Sequence, residues 1–458
     1  MIVRYLDPLE RLEYEIIQRQ EEGSDVKGLH AKYQSLLTKP EEEARASAHK
    51  ILADLMMEGP PPCLHSSFEP GQLDTSPPLN NTPPAVSGHK PHDSGLYDKT
   101  LGGWIGRAAG CLLGKPVERH MRPALREMLQ SNDNWPLSNY WTQKGMAQPI
   151  LDKYPWKRRL GQESLRENIT CMPEDDDLNY TMLNLHIVET SGHNFDSNDI
   201  ATAWVTNLPA FQVFTAERIA YFNILEGRSA PDTALYMNPF REWVGAQIRA
   251  DLWGYVSPGN PEKAAHMAWR DARLSHANNG IFSEIFFAAL IAHAFTEADI
   301  RVLVVSALGQ IPEKSRFAQA IQFVLDLPIK TMEWEAVLDA LDRQFGNYHW
   351  VHSINNGALT VAALLAGDGD YEKTICNAVM GGWDTDSNGA TAGSIMGVIL
   401  GAQSLPEKWT LPLNNRIRSS VSGFDNACFT DLARRTLEAA NMHEDKKTSG
   451  QSGRSDDF

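Results

Sequence analysis

The sequence predicts an all-α protein, and two observations support that prediction. Long segments, such as 282–311 and 315–327, carry apolar residues at the spacing of three or four that places them on one face of a helix. Runs that alternate apolar and polar residues, as half-buried strands do, are few. The body of the chain, from about residue 96 to about residue 440, is therefore expected to be mostly helical.

The two ends of the chain differ from this body in composition. Residues 1–58 are rich in Leu, Glu, Lys and Ala and are interrupted near Gly23 and Pro40, which predicts two or three helices. The next segment contains "GPPP", "SPP" and "TPP", and the last residues are polar and charged, so neither can form a core. We expect the N-terminal helices to dock on the body or on a partner subunit. The predicted domains are an N-terminal helical extension (1–58), a Pro-rich linker (59–95), a main helical domain (96–440) and a disordered tail (441–458).

The overall composition excludes several classes of function. The 458 residues carry a formal net charge of −16, which argues against binding to nucleic acid or to an anionic membrane surface. No apolar run is long enough to span a bilayer, and no signal-peptide pattern is present. The five cysteines are scattered without a CxxC pair, so neither a disulfide framework nor a zinc site is indicated. We expect a soluble, cytoplasmic protein.

Two segments carry a glycine at every fourth position. Glycines fall at 102, 106, 110 and 114 in "GGWIGRAAGCLLG" and at 389, 393, 397 and 401 in "GATAGSIMGVILG". Each glycine inside a helix costs roughly 1 kcal/mol relative to alanine, so a compensating interaction is needed. A glycine stripe lets two helices approach backbone to backbone. The pattern predicts that these two segments are helices that pack closely in the core.

Two acidic clusters precede helical segments. The first lies in "MPEDDDLNYTML" (172–183), and the second in "GGWDTDSNGA" (381–390), directly before the later glycine stripe. Either cluster alone is explained by helix capping, which contributes about 0.5–2 kcal/mol. Three adjacent carboxylates exceed what a cap needs, because like charges repel. A divalent cation would relieve that repulsion, and oxygen ligands without His or Cys favour Mg²⁺, Mn²⁺ or Ca²⁺. The second cluster is not an EF-hand, since Ile395 stands where the closing glutamate is required.

These motifs together resemble the ADP-ribosylglycohydrolase family. The resemblance rests on "GGWIGRAAGCLLGKPVE" (102–118), "DDDL" (175–178) and "WDTDSNGATAGSIMG" (383–397), which match the order of that family's motifs. It implies an all-α, orthogonally packed helical fold that holds two divalent cations, Mg²⁺ or Mn²⁺. It also implies hydrolysis of a glycosidic bond at the anomeric carbon of a ribose. The substrate would be a small-molecule riboside or an ADP-ribosyl conjugate.

The resemblance also assigns roles to individual residues. Glu118, which could otherwise be an ordinary surface glutamate, becomes a candidate acid or base together with Asp177. The sequence departs from the family pattern at Asp175 and Leu178, where the family has threonines, and at Cys111, where an aspartate is common. The implied metal ligands are Asp175, Asp176, Asp177, Asp384, Asp386 and Ser387.

Further candidates for substrate binding lie between the motifs. His276, Asn279 and Gly280 fall in a polar loop sequence, and Arg241 could bind a phosphate with its guanidinium fork. The structural alternatives are a turn for the histidine and an ion pair with a local acid such as Glu242 for the arginine. Four aromatic residues could stack on a nucleobase or anchor a loop: Trp135, Trp141, Tyr154 and Trp156.

Two other functions compete with glycoside hydrolysis. A two-metal phosphohydrolase would use similar carboxylate ligands. A non-catalytic metal- and nucleotide-binding protein would also fit, because the altered first acidic motif could have lost turnover while keeping affinity. Release of inorganic phosphate would identify the first, and ligand binding without turnover the second.

Overall fold

The structure is a computed structural model that describes residues 4–57, 94–156 and 158–442. These residues form 22 α-helices joined by loops and six short 3₁₀ turns, and they contain no strand beyond three isolated bridges. The all-α prediction is confirmed. The predicted linker lies outside the described residues apart from its last two, and the predicted tail lies outside them from residue 443 onward.

Three helices form the N-terminal extension: α1 (Pro8–Glu21), α2 (Lys27–Leu36) and α3 (Glu41–Met57). The remaining nineteen helices form the body: α4 (Ser94–Gly114), α5 (Arg122–Gln130), α6 (Gln148–Lys153), α7 (Arg158–Glu163), α8 (Asp176–Ser191), α9 (Ser197–Asn207), α10 (Thr215–Leu225), α11 (Asp232–Leu235), α12 (Ala250–Tyr255), α13 (Pro261–Ala272), α14 (Asn279–Ala294), α15 (Ile300–Leu308), α16 (Arg316–Asp326), α17 (Trp334–Phe345), α18 (Ser353–Gly367), α19 (Tyr371–Met380), α20 (Thr385–Leu400), α21 (Glu407–Thr410) and α22 (Phe429–Ala440).

The extension packs on the body through a small core of its own. Leu12 and Ile16 on α1 are buried together with Ala48 and Leu52 on α3, and Met237 of the body joins this cluster. Asp7 caps α1, because its side chain accepts a hydrogen bond from the backbone N–H of Leu9 at 2.8 Å. The helices therefore dock on the body of the same chain, one of the two arrangements that the sequence allowed.

The two glycine-striped helices, α4 and α20, cross the centre of the body in antiparallel contact. A Cβ added at Gly106 would overlap the carbonyl oxygen of Gly393, and one added at Gly110 would overlap that of Gly389. Gly102 meets Gly397 in the same way. The predicted close packing of these segments is confirmed. Because the helices are antiparallel and in register, the C-terminal end of α4 lies beside the N-terminal end of α20.

A buried arginine joins α8 to the same end of α4. The guanidinium of Arg107 donates to the carbonyl oxygens of Asp177 (2.8 Å) and Ile248 (2.6 Å), and it is ion-paired with Asp251 at 2.7 Å. This arginine is fully buried. The ends of α4, α8 and α20, which carry the acidic motifs, are thereby brought to one place. No helix in the described part of the chain is long and apolar enough to cross a membrane.

Candidate active site

The three helix ends form the floor of a cavity of about 460 Å³. The floor is acidic: it contains the carboxylates of the two acidic motifs together with Glu118, which follows a 3₁₀ turn (Lys115–Val117) after α4. The opposite wall is aromatic, and residues of both the body and the N-terminal extension contribute to it. The cavity therefore has a charged inner end and an aromatic outer end.

Six potential metal-ligating residues of the floor form two groups, and Asp176 lines the same floor outside both groups. The first is Cys111, Asp175 and Asp177, and the second is Glu118, Asp384 and Asp386; within each group, potential ligand atoms lie within 4.8 Å of one another. All are buried except Glu118, whose side chain is 22% exposed and faces Arg119 at 3.5 Å. Carboxylates this close and this buried repel one another unless a cation lies among them.

The direction in which each carboxyl pKa is shifted shows where that repulsion is relieved and where it is not. Burial raises the pKa of Asp384 well above its ordinary value, and the neighbouring Asp386 adds to the increase. Burial and Asp175 likewise raise the pKa values of Asp176 and Asp177. Asp175 behaves oppositely: burial favours its neutral form, but the ammonium of Lys115 outweighs burial and lowers the pKa. Only part of the floor is thus neutralised by the described side chains that surround it.

Lys115 is a lysine on the floor itself. Its residue is 8% exposed, and its ammonium is ion-paired with the Oδ2 atom of Asp175. A buried lysine is stable only with such a partner, because desolvation of a lone ammonium is costly. Despite that burial, Asp175 and Cys111 raise the pKa of Lys115, so the ammonium stays charged.

The second group has the chemistry of a divalent-cation site. Its donors are carboxylate oxygens alone, they converge within 4.8 Å, and two of the three are buried. Hard cations such as Mg²⁺ and Mn²⁺ prefer these donors. The residues present therefore fit the kind of cation that the sequence motifs indicated.

The comparisons with known proteins agree with the motifs. The family profile described as ADP-ribosylglycohydrolase matches residues 92–446. The chain belongs to the ADP-ribosylglycohydrolase family. This chain also aligns with a solved structure described as an ADP-ribosylglycohydrolase-related protein complex, at 18% sequence identity and a TM-score of 0.45. The alignment covers 75% of this chain and 97% of the chain in that structure. No curated protein matches the sequence.

The family match has two consequences for this chain. An ADP-ribosylglycohydrolase is a glycosidic hydrolase, and the family is generally dependent on divalent metal. The match begins at residue 92, so the N-terminal extension lies outside it. The outer wall of the cavity is therefore partly made by a segment that the family profile does not include.

All the predicted catalytic and metal-ligating residues line this one cavity. They are Glu118, Asp175, Asp176, Asp177, Asp384, Asp386 and Ser387. Asp175 is also the N-cap of α8, where its side chain accepts a hydrogen bond from the backbone of Asp177 at 3.0 Å. Ser387 donates to Asp177 Oδ2 at 3.3 Å. The first acidic motif therefore both caps α8 and lines the cavity.

Arg241, predicted to bind substrate, does not line the cavity; its fork is instead ion-paired with the N-terminal extension. Nη1 lies 2.7 Å from Glu15, and Nη2 lies 2.9 Å from Glu22. Arg241 is 3% exposed. The structural alternative considered for this arginine, an ion pair, is what the structure shows, although the partners are distant glutamates and not Glu242.

The polar loop predicted to bind substrate is likewise buried away from the cavity. His276 bonds Ser275 through Nδ1 at 2.8 Å, and burial lowers its pKa well below the ordinary value. Asn279 donates to Glu242 at 2.7 Å and accepts from the backbone of Phe317 at 2.9 Å. Gly280 is close to the backbone of Arg241, where a side chain would collide. These residues hold the fold together under the extension.

The aromatic wall was not predicted. Trp243 and His349 stack with ring centroids 4.3 Å apart, and Tyr14 of α1 contacts Trp243 edge-on at 5.3 Å. Trp350 lines the same wall with Arg119 over its ring at 5.6 Å. The four aromatic residues considered from the sequence do not line this cavity; Trp141 and Trp156 pack against each other instead. Only the abundance of aromatic residues beside "EWVG" and "NYHWVH" could have indicated the true wall.

Proposed function

We propose that this protein hydrolyses a glycosidic bond at the anomeric carbon of a ribosyl group, with the help of bound Mg²⁺ or Mn²⁺. The observation that supports the proposal is the convergence of carboxylates from three helix ends on the floor of one cavity. Family membership adds the reaction class. The substrate is an ADP-ribosyl conjugate or another riboside of similar size.

The proposed metal ligands are carboxylate and hydroxyl side chains that line the floor of the cavity. A divalent cation bound there would orient ribose hydroxyls and lower the pKa of a bound water. The proposed ligands are Asp175, Asp176, Asp177, Asp384, Asp386 and Ser387.

The remaining chemistry is assigned to the chain's own groups. Cleavage of a ribosyl bond develops positive charge at the anomeric carbon, and a negatively charged floor stabilises that charge. Glu118 is the most exposed carboxylate of the second group, so we assign it as the acceptor of a proton from the attacking water. A carboxylate has two oxygens, so Glu118 could contact a bound cation through one and accept the proton through the other. Asp177, which is held by Ser387 and by Arg107 at 3.4 Å, is the second candidate for handling the proton.

The outer end of the cavity selects the group attached to the ribose. Its wall offers aromatic rings from Tyr14, Trp243 and Trp350, and it offers guanidinium groups from Arg4 and Arg119. Aromatic surface suits a flat or apolar group, and guanidinium suits an anionic one. An ADP-ribosyl group presents both, and it is therefore the substrate to test first.

The test is metal content and turnover in the same preparations. Protein purified without chelator is analysed by mass spectrometry for Mg and Mn, and it is incubated with ADP-ribosylated peptide and with simple ribosides. We expect bound metal and release of ribosyl product, both lost in an Asp384→Asn/Asp386→Asn variant. Asp368→Asn is the matched control, because Asp368 is an exposed aspartate at the end of α18.

The outcome also separates the two competing functions. Release of inorganic phosphate from a nucleotide, with the ribosyl bond intact, would replace the proposal by a phosphohydrolase. Calorimetric binding of metal and ADP-ribose without turnover of any substrate would replace it by a binding protein. Absence of metal after addition of Mg²⁺ and Mn²⁺ would contradict the metal-dependent mechanism as a whole.

A further inference from the structure

The floor of the cavity carries a lysine among the carboxylates, and this changes the number of cations that it can hold. We propose that the ammonium of Lys115 takes the place of one divalent cation, so that the cavity binds a single Mg²⁺ or Mn²⁺ at Glu118, Asp384 and Asp386. The inference rests on the proposed function, since it concerns the same site. It departs from the two cations that the family resemblance implied, and it removes Asp175 and Asp177 from the proposed metal ligands.

The first argument is that the carboxylate oxygens of the first group already have donors. Asp175 Oδ2 is ion-paired with Lys115, and Asp175 Oδ1 accepts the backbone N–H of Asp177 at 3.0 Å. Asp177 Oδ1 faces Arg107 at 3.4 Å, and its Oδ2 accepts from Ser387 at 3.3 Å. A cation bound there would have to displace these donors, and it would then lie beside an ammonium.

The second argument concerns the remaining member of the first group. Cys111 is a buried residue on α4, and its sulfur lies within 4.8 Å of carboxylate oxygens of Asp175 and Asp177. Sulfur is a poor ligand for Mg²⁺ or Mn²⁺, which prefer oxygen. The first group is therefore suited to an ammonium and poorly suited to a second hard cation.

The third argument is that Lys115 is positioned by the fold. It follows Gly114, which is packed against the backbone of Thr385, and the hydroxyl of Thr385 donates to the carbonyl of Gly114 at 2.8 Å. The turn that carries Lys115 is therefore fixed on the end of α20. Its ammonium reaches Asp175 from this fixed base, and its residue is 8% exposed. A lysine held in this way is part of the site and is not a surface side chain folded inward.

In the second group, Glu118, Asp384 and Asp386 offer carboxylate oxygens within 4.8 Å of one another, and the backbone N–H of Ser387 donates to Asp386 Oδ1 at 3.2 Å. The cationic side chain beside this group is Arg119, which is 43% exposed, faces Glu118 at 3.5 Å and lies over the ring of Trp350. Because it is exposed, it can turn toward solvent when a cation binds. Asp384 and Asp386 are each 6% exposed. A single divalent cation would neutralise the carboxylates of this group, as the ammonium of Lys115 neutralises Asp175 in the first group.

The experiment measures metal stoichiometry on the full-length protein. Metal-free protein is titrated with Mn²⁺ by calorimetry, and the Mn²⁺ complex is examined by electron paramagnetic resonance. We expect about one Mn²⁺ per chain and a mononuclear spectrum for the wild type. In Lys115→Met, the first group loses its cation, and we expect about two Mn²⁺ per chain with spin–spin coupling between them. Lys330→Met, which removes an exposed lysine paired with Asp368, is the control and should bind as the wild type does.

Each outcome decides the proposal. Two Mn²⁺ ions with a coupled spectrum in the wild type would overturn it while leaving the proposed hydrolase standing. One ion in both the wild type and Lys115→Met would also overturn it, because the lysine would not be the reason for the low count. No Mn²⁺ in any variant would reject both the single-cation site and the metal-dependent function. If Lys115→Met does not fold, the wild-type spectrum still distinguishes a mononuclear from a binuclear site.

Discussion

The described part of the chain contains several buried clusters of carboxylates, and two of them differ in how their charge is balanced. One is the cavity floor already described. The other is the set of residues that joins the N-terminal extension to the body, which we call the extension clamp: Glu15, Glu22, Arg241, Glu242 and Arg316. In the clamp, burial alone would raise the pKa of Glu242, but Arg316 and His352 lower it well below the ordinary value, whereas burial outweighs Arg241 and raises the pKa of Glu22. On the floor, the pKa values of Asp176, Asp177 and Asp384 stay raised.

The clamp and the floor differ in how their carboxylates are paired. The clamp pairs its acids with arginines of the same chain: Arg241 with Glu15 and Glu22, and Arg316 with Glu242. The floor has more carboxylates than the lysine and arginine beside it can neutralise, so it is prepared for a cation or for a substrate that develops positive charge. An excess of carboxylates does not by itself mark a functional site, because Glu217, Asp271 and Glu284 also surround Arg249. The floor differs in that its carboxylates converge on a cavity.

The largest effect is expected where the floor is assembled. Gly106→Val places a side chain where the backbone of Gly393 already lies, and it forces α4 away from α20. Because backbone cannot yield as a side chain does, we expect a loss of about 4 kcal/mol or more in the free energy of unfolding, or failure to fold. The measurement is urea denaturation followed by circular dichroism.

Gly28→Ala provides the control for that change. Gly28 lies in α2 of the extension, and an added Cβ would meet nothing within 4 Å. We expect the alanine to be neutral or to stabilise by up to about 1 kcal/mol, because alanine is the better helix former. A Gly106→Val protein as stable as Gly28→Ala would show that the glycine stripes do not set the approach of the two helices.

The clamp is tested by removing its central arginine. Arg241→Met removes the arginine partner of Glu22 and one of the two arginines beside Glu15, which also pairs with Arg19, and this is expected to cost about 3 kcal/mol. Hydrogen exchange should show faster exchange throughout α1. The matched control is Arg434→Met, which removes exposed ion pairs to Asp431 and Glu438 and should cost well under 1 kcal/mol. Equal costs for the two variants would contradict the structural role assigned to the clamp.

The two clusters also show what the sequence could and could not predict. The glycine period predicted that two helices pack closely, and this packing brings Glu118 beside Asp384 without any further signal. Arg241 was predicted to meet phosphate or a neighbouring acid, but its partner Glu15 is 226 residues away in the sequence. Local pattern identifies residues that share a helix face. It does not identify a partner that only the docking of a separate segment brings near.

Lys115 and Tyr14 illustrate the same limit on the cavity. Lys115 lies between the glycine and the proline of "GKPVE", and a single lysine there does not by itself indicate a place on the floor of a cavity. Tyr14 lies in a Glu- and Leu-rich segment whose period predicts only a helix. Both residues reach the cavity through tertiary packing, which brings together segments that are far apart in the sequence.

The floor itself is tested by removing one carboxylate of the second group. Asp386→Asn takes away one negative charge from the second group, and we expect Mn²⁺ affinity to fall roughly 10- to 100-fold. The same change should slightly stabilise the metal-free protein, because it removes repulsion with Asp384. Calorimetry and denaturation of metal-free protein measure the two effects. A destabilised metal-free variant would indicate that Asp386 serves the fold, as the clamp residues do.

His349, between the floor and the clamp, is expected to make the free energy of unfolding depend on pH. This histidine stacks on Trp243 in the cavity wall, and burial, followed by repulsion from His352, lowers its pKa to about 4. An unfolded histidine has a pKa of about 6.5, so the unfolded chain binds more protons between these values. Stability is therefore lost as pH falls from about 6.5 through 4, by roughly 1–3 kcal/mol.

His349→Phe keeps an aromatic ring against Trp243 and removes the titration. Urea denaturation at pH 7 and at pH 4.5 should show a smaller loss of stability for the variant than for the wild type. Other groups titrate in both proteins, so their contributions cancel in the difference. Parallel losses in the two proteins would mean that His349 is not buried in its neutral form in solution.

The smallest effect is expected at the outer wall, where the extension meets the cavity. Tyr14→Ala removes the ring that contacts Trp243 at 5.3 Å, and we expect affinity for ADP-ribose to fall about 3- to 10-fold while Mn²⁺ affinity is unchanged. Tyr14→Phe keeps the ring and should bind nearly as the wild type does. Calorimetry on metal-loaded protein measures both affinities. Because the family match starts at residue 92, unchanged ADP-ribose binding in Tyr14→Ala would confine recognition to the matched region and leave the extension a purely structural addition.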